Sequence, residues 1–202
     1  VVFVVGHICS DCSLAVGKIY EEAGIIMISP GSTNPKVTDE GGPNVFRLIG
    51  RDDQQGTIAG NYLADHFSDR RIAIIHDGSA YALGLAEFTK RQLNKRGVTE
   101  LMFASYTPDK QDYKPLVNKL VNKKIDVLYV GGYLADIGII ARQAKKELPN
   151  LRLYSGDSLV NVRYLFIAGE AGQGTYFTFV PDMRLKPEAA KVVAAIREED
   201  AY

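Results

Sequence analysis

Five polar side chains follow five separate strand-like segments of the sequence, each at an equivalent place just after its segment. They are Ser10, Thr33, Tyr81, Tyr133 and Asp157. In an open parallel α/β sheet, ligands bind in the crevice beyond the carboxyl ends of the strands, so these side chains are predicted to share one crevice. Hydroxyl groups can donate hydrogen bonds to a carboxylate, and an aspartate can accept them from an ammonium group. The pattern therefore predicts a binding site for a small zwitterion and not a reaction centre.

The loop at residues 30–35 carries the most specific part of this pattern. A proline at each end stiffens the loop, and Gly31 permits close approach of the backbone. Between the prolines, Ser32 and Thr33 can donate hydrogen bonds to an anion. A plain surface turn is the alternative, and Ser10 in the neighbouring turn at the same sheet edge favours the binding site.

The acidic and aromatic candidates have structural alternatives as well. Asp157 follows a strand of buried character, where a carboxylate is costly unless it is paired or solvated, although it could also cap the next segment. Tyr81 and Tyr133 each offer a rigid apolar face with a polar tip, which suits an aliphatic ligand with a charged head group. Either tyrosine could instead be part of ordinary packing.

Strand and helix patterns alternate along almost the whole chain, which predicts right-handed β-α-β units and a parallel sheet. The strands are predicted at residues 1–6, 25–29, 45–49, 71–76, 99–106, 125–130, 151–155 and 174–179. The longer helices are predicted at residues 53–67, 82–96, 134–147 and 186–199. The run at residues 1–6 is continuous, apolar and β-branched, as is typical of a strand buried on both faces.

A further helix is predicted directly after this first strand. Ser10 or Asp11 can cap its start, and Gly24 can end it. Spacing of i, i+3, i+4 and i+7 points four of its residues towards the core: Val16, Ile19, Tyr20 and Ala23.

The distribution of these units predicts two domains. Residues 51–181 hold enough units for a complete small domain, whereas residues 1–50 hold only about two, which is too little core to stand alone. We therefore expect residues 1–50 to be part of a first lobe, residues 51–181 to form the second, and residues 182–202 to return as a helix to the first. We expect part of the first lobe, and any signal peptide, to lie outside this chain.

Composition and motifs argue against several classes of function. Lys+Arg and Asp+Glu both number 24, so the basic excess of a nucleic-acid binder is missing. No apolar run approaches the ~18 residues that span a bilayer. The glycine-rich stretch at residues 169–174 precedes a strand, whereas a dinucleotide-binding loop follows one. We therefore predict no nucleic acid, no nucleotide cofactor and no metal.

The cysteines and histidines give no convincing catalytic signal. Cys9 and Cys12 form a C-x-x-C motif before a helix, but Asp11 between them would raise the thiol pKa, and nothing completes a zinc site. His76 and Asp77 are adjacent, and adjacent strand residues point to opposite faces, so a direct dyad is not expected. Redox catalysis through the cysteines and hydrolysis through His76 remain competing hypotheses to ligand binding.

At these same residues the chain resembles the leucine/isoleucine/valine-binding proteins of bacterial ABC importers, and more broadly the type I periplasmic-binding-protein family. The resemblance is carried by GHICS at 6–10, ISPGSTNP at 28–35, IIHD at 74–77, DVLYVGGY at 126–133 and GD at 156–157. It implies an α/β fold of two Rossmann-like parallel-sheet lobes, of which the first is incomplete in this chain, with an amino acid bound in a hinged cleft between them.

The resemblance also implies roles for individual residues. Ser10 and Thr33 would bind the ligand carboxylate, helped by the backbone around Gly31. Asp157 would bind the ammonium group, and Tyr81 would line the second-lobe wall together with Tyr133.

The implied protein is the substrate-binding component of an ABC importer. It would be no enzyme, would need no cofactor, would carry a leucine-, isoleucine- or valine-like L-amino acid and would have a membrane permease as its partner. Its place would be the periplasm, or the cell surface as a lipoprotein. The alternatives are a ligand-sensing domain of a receptor or regulator with this fold, or a binder of an amide, a short peptide or an aromatic acid.

The chain departs from the family pattern at three places. Ala82 follows Tyr81 where relatives usually have glycine, so the second-lobe turn is expected to differ. Asp11 and Cys12 replace small uncharged residues, which puts an anion near the implied carboxylate site. Cys9 matches a family cysteine whose disulfide partner lies earlier in the chain, so either Cys12 takes that place or Cys9 is unpaired.

Overall fold

Two separate parallel β-sheets organise the chain, and the computed structural model describes residues 1–199. Around the first sheet lie β1 (Phe3–Val5), α1 (Ser10–Glu22), β2 (Ile26–Ser29), α2 (Lys36–Asp39) and β3 (Val45–Arg47). Around the second lie α3 (Asp52–Phe67), β4 (Ile72–His76), α4 (Ala80–Lys95), β5 (Met102–Ser105), α5 (Lys114–Asn122), β6 (Val127–Gly131), α6 (Leu134–Glu147), β7 (Arg152–Ser155), α7 (Arg163–Ala168) and β8 (Tyr176–Phe177). Helix α8 (Ala190–Glu199) comes last. All eight predicted strands are present, each shorter than predicted.

The second sheet has the order β5-β4-β6-β7-β8, and every neighbouring pair is parallel. Strands β4 and β6 are buried along their whole length, because helices cover both faces of the sheet. Alternate residues of β4 therefore belong to different cores: Ile75 packs with α5 and α6, and Ile74 packs with α3 and α4. These parallel strands and flanking helices confirm the predicted α/β class.

The first sheet has the order β1-β2-β3, is also parallel, and is much less well covered. Its buried core consists of Met27, Val37 and Val45. The prediction that the first strand is buried on both faces is wrong, since Phe3 is 46% exposed and Val5 is 72% exposed. An apolar, β-branched sequence indicates that a strand can be buried, but burial also needs an element that packs over it. Among residues 1–199 no element covers β1.

Helix α1 differs from its prediction at its cap and in the face that it buries. Cys9 is the N-cap, and its sulfur accepts a hydrogen bond from the Cys12 backbone N–H at 3.2 Å, so the predicted capping by Ser10 or Asp11 is wrong. Gly24 follows the end of the helix with a positive φ of 66°, as predicted for a stop.

The buried face of α1 is small and polar. It consists of Ser10, Ser13 and Gly17, whereas Ile19 and Ala23, which periodicity predicted to point inward, are exposed. Small side chains are needed on this face because the 30–35 loop and Gly41 lie directly against it.

The last part of the chain consists of short elements. Strand β8 has two residues, and the predicted return helix is a short 3₁₀ turn, Pro187–Ala189, followed by α8. Residues 200–202, at the end of the predicted 182–202 segment, lie outside the described residues. The division of the chain into lobes at residues 50 and 181 stays a prediction. In the part of the chain that the structure describes, no helix is long and apolar enough to cross a membrane.

Candidate ligand-binding site

The polar residues singled out in the sequence lie at the carboxyl ends of strands in both sheets. Ser10 begins α1 after β1, and Thr33 lies in the loop after β2. In the second sheet, Tyr81 is in the first turn of α4 after β4, Tyr133 precedes α6 after β6, and Asp157 begins a 3₁₀ turn after β7.

On the first-lobe side, Ser10 and Thr33 are almost completely buried, at 2% and 1% exposure. The Ser10 hydroxyl oxygen accepts a hydrogen bond from the Asn34 backbone N–H at 3.1 Å, so its own hydrogen is available to an acceptor. The carbonyl of Thr33 accepts from the Asp52 backbone N–H at 2.9 Å, which ties this loop to the start of α3. These two turns thus provide hydrogen-bond donors in fixed positions, close to where the chain passes from the first sheet to the second.

Arg47, which the sequence argument missed, organises the 30–35 loop. Its guanidinium donates to the carbonyl oxygens of Thr33, Asn34 and Pro35 at 3.2, 2.9 and 3.0 Å, and also to the Thr38 hydroxyl. Since one rigid cation holds three consecutive carbonyls, the loop's N–H groups and hydroxyls are kept in one arrangement. The signal available in the sequence was an arginine inside an otherwise apolar strand.

Ser32 and Gly31 hold the same loop against the turn that follows β1. The Ser32 hydroxyl is fully buried and lies 2.9 Å from the His7 carbonyl oxygen and 2.8 Å from the Ser13 hydroxyl. It is therefore engaged within the first lobe, where it holds the turn after β1. A Cβ on Gly31 would lie 3.1 Å from the Ile8 side chain, so glycine lets the two turns pack together.

On the second-lobe side, Asp157 forms a pair with Tyr81. The Tyr81 hydroxyl donates to Asp157 Oδ1 at 2.8 Å and accepts from the Ser158 backbone N–H at 3.3 Å. Burial raises the pKa of Tyr81 well above its usual range, and the charge of Asp157 adds to this effect, so the phenol stays a donor. The carboxyl group of Asp157 is thereby oriented by a neutral hydrogen-bond donor.

Tyr133 lies beside this pair and remains 39% exposed. Its ring centroid is 5.3 Å from that of Tyr81, so the two rings form a continuous wall. Burial, together with the negative charges of Asp11, Asp77, Asp52 and Asp157, raises the pKa of Tyr133 to about 12. The second-lobe wall thus consists of two aromatic rings with aspartate side chains nearby.

Direct hydrogen bonds join the first-lobe turns to the start of α4. The side-chain amide of Asn34 donates to the Ala80 carbonyl at 2.6 Å, and the Ala80 N–H donates to Asp11 Oδ1 at 2.8 Å. Asp11, which the sequence placed only as an anion near the carboxylate site, is thus a cross-lobe acceptor. Neither bond was predicted, because the partners are 46 and 69 residues apart.

The two cysteines form a disulfide with each other, Cys9–Cys12, which decides between the alternatives left open by the sequence. Its closed loop contains Ser10 and Asp11. Among the described residues no cluster of three or more His, Cys, Asp or Glu side chains could hold a metal ion.

His76 has no acid–base partner in the part of the chain described. Its Nδ1 is buried without a hydrogen bond, and its ring lies against Phe103 at 5.2 Å. Burial lowers its pKa, which favours the neutral ring. The geometry at His76 therefore gives no support to the competing hydrolase hypothesis.

The chain has two parallel β-sheets flanked by helices, and the turns at the carboxyl ends of their strands meet. This arrangement is typical of bilobal α/β ligand-binding proteins. The family model described as periplasmic binding protein matches residues 1–200. This chain belongs to the periplasmic binding protein family, and its fold is the type I α/β fold of that family.

Comparison with individual proteins agrees with this assignment. A relative named Leu/Ile/Val-binding protein homolog 1, from Brucella suis, is 42% identical over 204 residues, covering 99% of this chain and 55% of the relative. A leucine-binding protein of Thermotoga maritima has a TM-score of 0.86 at 27% identity, with 100% of this chain and 58% of that chain covered. A substrate-binding protein of Desulfitobacterium hafniense solved with Leu has a TM-score of 0.74 at 25% identity, with the same coverage. The chain thus spans a little over half the length of these relatives.

Proposed function

We propose that this chain is part of the substrate-binding component of an ABC importer, a protein that captures an aliphatic L-amino acid between its two lobes. The protein would act outside the cytoplasm, in the periplasm or on the cell surface, and would deliver its ligand to a membrane permease without chemical change. The observation that carries this proposal is that buried hydroxyl groups follow strands of one sheet and a tyrosine-bonded carboxylate follows a strand of the other, while hydrogen bonds join the turns of the two sheets.

The two ends of the site match the two ends of an amino acid head group. The buried Ser10 hydroxyl and the Thr33 turn offer hydrogen-bond donors to the ligand carboxylate. Asp157, oriented by the Tyr81 hydroxyl, offers an acceptor with charge to the ligand ammonium. The aromatic wall of Tyr81 and Tyr133 would lie along an aliphatic side chain. The named relatives, which include Leu/Ile/Val-binding proteins and a structure solved with Leu, support the same ligand class.

This arrangement has a consequence for specificity. A site that pairs buried polar groups rejects ligands lacking those groups by large factors, whereas single methylenes are discriminated only weakly. The site would therefore be highly selective for the amino-acid head group and only weakly selective among aliphatic side chains. Leucine, isoleucine and valine would bind with similar affinity.

A thermal-shift panel on the parent-length protein tests this proposal. We expect L-leucine, L-isoleucine and L-valine to stabilise it by about 2.7 kcal/mol at 100 times their dissociation constants. Leucinamide lacks the carboxylate and isoamylamine lacks it as well, so neither should give a shift. Stabilisation by these two compounds, or by none of the amino acids, would contradict the proposal. Loss of the leucine shift in Ser10→Ala would tie the response to the first-lobe donors.

The cross-lobe bonds of Ala80 give a second prediction. Asp11→Ala removes the acceptor for the Ala80 N–H, and one hydrogen bond contributes about 0.5–1.5 kcal/mol, so leucine should bind roughly 3- to 10-fold more weakly. In the proposed hinge motion this bond would form when the lobes close, so its loss would favour the open state. Isothermal titration calorimetry measures the change.

The matched control for this variant is Glu22→Ala, an exposed acid in the last turn of the same helix. It removes the same charge from α1 at a place remote from α4, and it should leave leucine affinity within about twofold. An equal loss of affinity in Asp11→Ala and Glu22→Ala would show that net charge, and not the Ala80 contact, is responsible.

A further inference from the structure

A second acidic side chain, Asp52, lies buried at the junction of the two sheets. It begins α3, has 0% exposure, and donates its backbone N–H to the Thr33 carbonyl. Its Oδ1 accepts from the Gln55 side-chain amide at 3.3 Å. Its Oδ2 is buried and makes no hydrogen bond of standard geometry among residues 1–199, although the Thr33 side chain lies close enough to the carboxyl group to lower its pKa. A carboxylate oxygen in this position is costly unless something else satisfies it.

Its surroundings connect Asp52 to both halves of the candidate site. Thr33, to which it is bonded, belongs to the first-lobe donors. Gln55, its other partner, lies against the turn that carries Asp157, since a Cβ on Gly156 would be 3.7 Å from the side-chain oxygen Oε1 of Gln55. The Thr178 hydroxyl donates to that same oxygen at 2.8 Å, which fixes the orientation of the amide.

We propose that Asp52 is a second acidic residue of the ligand site, whose unpartnered Oδ2 accepts a hydrogen bond from the ammonium group held by Asp157. This inference rests on the proposed function. It adds a specificity-determining residue from the inter-lobe crossing, and it explains why an acid is buried there with one oxygen unsatisfied.

The electrostatics of Asp52 give this proposal a measurable signature. Burial raises the pKa of Asp52 to about 8; Asp157 and Asp53 add to the rise, while the Thr33 side chain and Arg47 oppose it. These are the charged groups that face it from the turn after β7, from its own helix and from β3. Without ligand, Asp52 is therefore mostly protonated at neutral pH.

An ammonium ion beside Asp52 reverses this balance, because a nearby positive charge favours the ionised carboxyl group. Ligand binding would therefore release a proton. Since the ionised form binds better, affinity should rise with pH up to the pKa of the free protein near 8 and then level off. Below pH 8 it should fall by up to about tenfold for each pH unit.

Calorimetric titration of the parent-length protein with L-leucine tests this proposal. Runs at pH 7 in phosphate and in Tris, whose ionisation enthalpies differ, count the protons exchanged on binding. We expect the wild-type protein to release most of one proton per leucine bound. In Asp52→Asn, which keeps the size and the contact with Gln55, release should vanish, and affinity should be weaker at pH 8 and nearly independent of pH between 6 and 8.

Asp53→Asn is the matched control, because this neighbouring carboxylate pairs with Arg51 at 3.0 Å. It should retain the proton release of the wild type. Leucine binding without proton release from the wild-type protein would overturn the role of Asp52 while leaving the proposed function intact, and so would release that persists in Asp52→Asn. If no amino acid binds at any pH, the proposed function itself fails, and this inference fails with it.

Discussion

Asp157→Ala should abolish amino-acid binding, and Asp157→Asn should weaken the binding of L-leucine by at least about 30-fold. The asparagine variant keeps the shape of the side chain and an oxygen for the Tyr81 hydroxyl, 2.8 Å away in the wild type, but removes the charge. Truncating one partner of a buried, hydrogen-bonded charge pair costs about 2–5 kcal/mol, because the other charge is left without compensation. Isothermal titration calorimetry on the parent-length protein measures the loss.

Asp77→Asn is the matched control for Asp157. It also follows a strand of the second sheet, and its charge also acts on Tyr133, but its Oδ1 is used by the Ser79 backbone N–H. An asparagine keeps that hydrogen bond, so leucine affinity should change by less than about threefold. If the two variants lose affinity equally, the general acidity of the cleft and not contact with Asp157 holds the ammonium group. Unchanged affinity in Asp157→Ala would refute the site as a whole.

The second large effect is expected on stability, at the contact between α3 and α4. A Cβ on Gly56 would lie 2.4 Å from the Phe88 Cβ and 2.8 Å from the Thr89 backbone nitrogen, closer than real carbon atoms approach. Gly56→Ala must therefore push two buried helices apart. Overpacking of this kind costs about 1–3 kcal/mol, which outweighs the gain of up to about 1 kcal/mol from replacing glycine in a helix. We expect a fall in melting temperature of several degrees, measured by circular dichroism.

Gly17→Ala in α1 makes the same chemical change where there is room for it. Its Cβ would meet its nearest neighbour, the Gly41 Cα, at 3.5 Å, which is an ordinary contact. Helix propensity then decides the result, and the protein should be equally stable or more stable by up to about 1 kcal/mol. A destabilisation at Gly17 as large as that at Gly56 would show that close helix packing is not the cause.

The residues that the sequence singled out for a ligand all lie at the carboxyl ends of strands in the structure. This was predictable, because each position depends only on where a strand ends and a turn begins. The geometry that would make these residues a site was not predictable. It depends on Arg47 holding three carbonyls, on Tyr81 bonding Asp157, and on the links from Asn34 and Asp11 to α4.

The sequence by itself determined the α/β class, the eight strands and the longer helices, because alternating β-α-β units leave local periodic patterns. It was most accurate in the second sheet, where the helix predicted at 134–147 agrees with α6 to the residue. Only the tertiary structure decided which surfaces are covered: β1 reads as a buried strand yet is exposed, and α1 buries serines and a glycine in place of Ile19. Burial depends on what packs from elsewhere in the chain, and the same is true of Asp52, which is buried and whose pKa responds to a group as distant in sequence as Asp157.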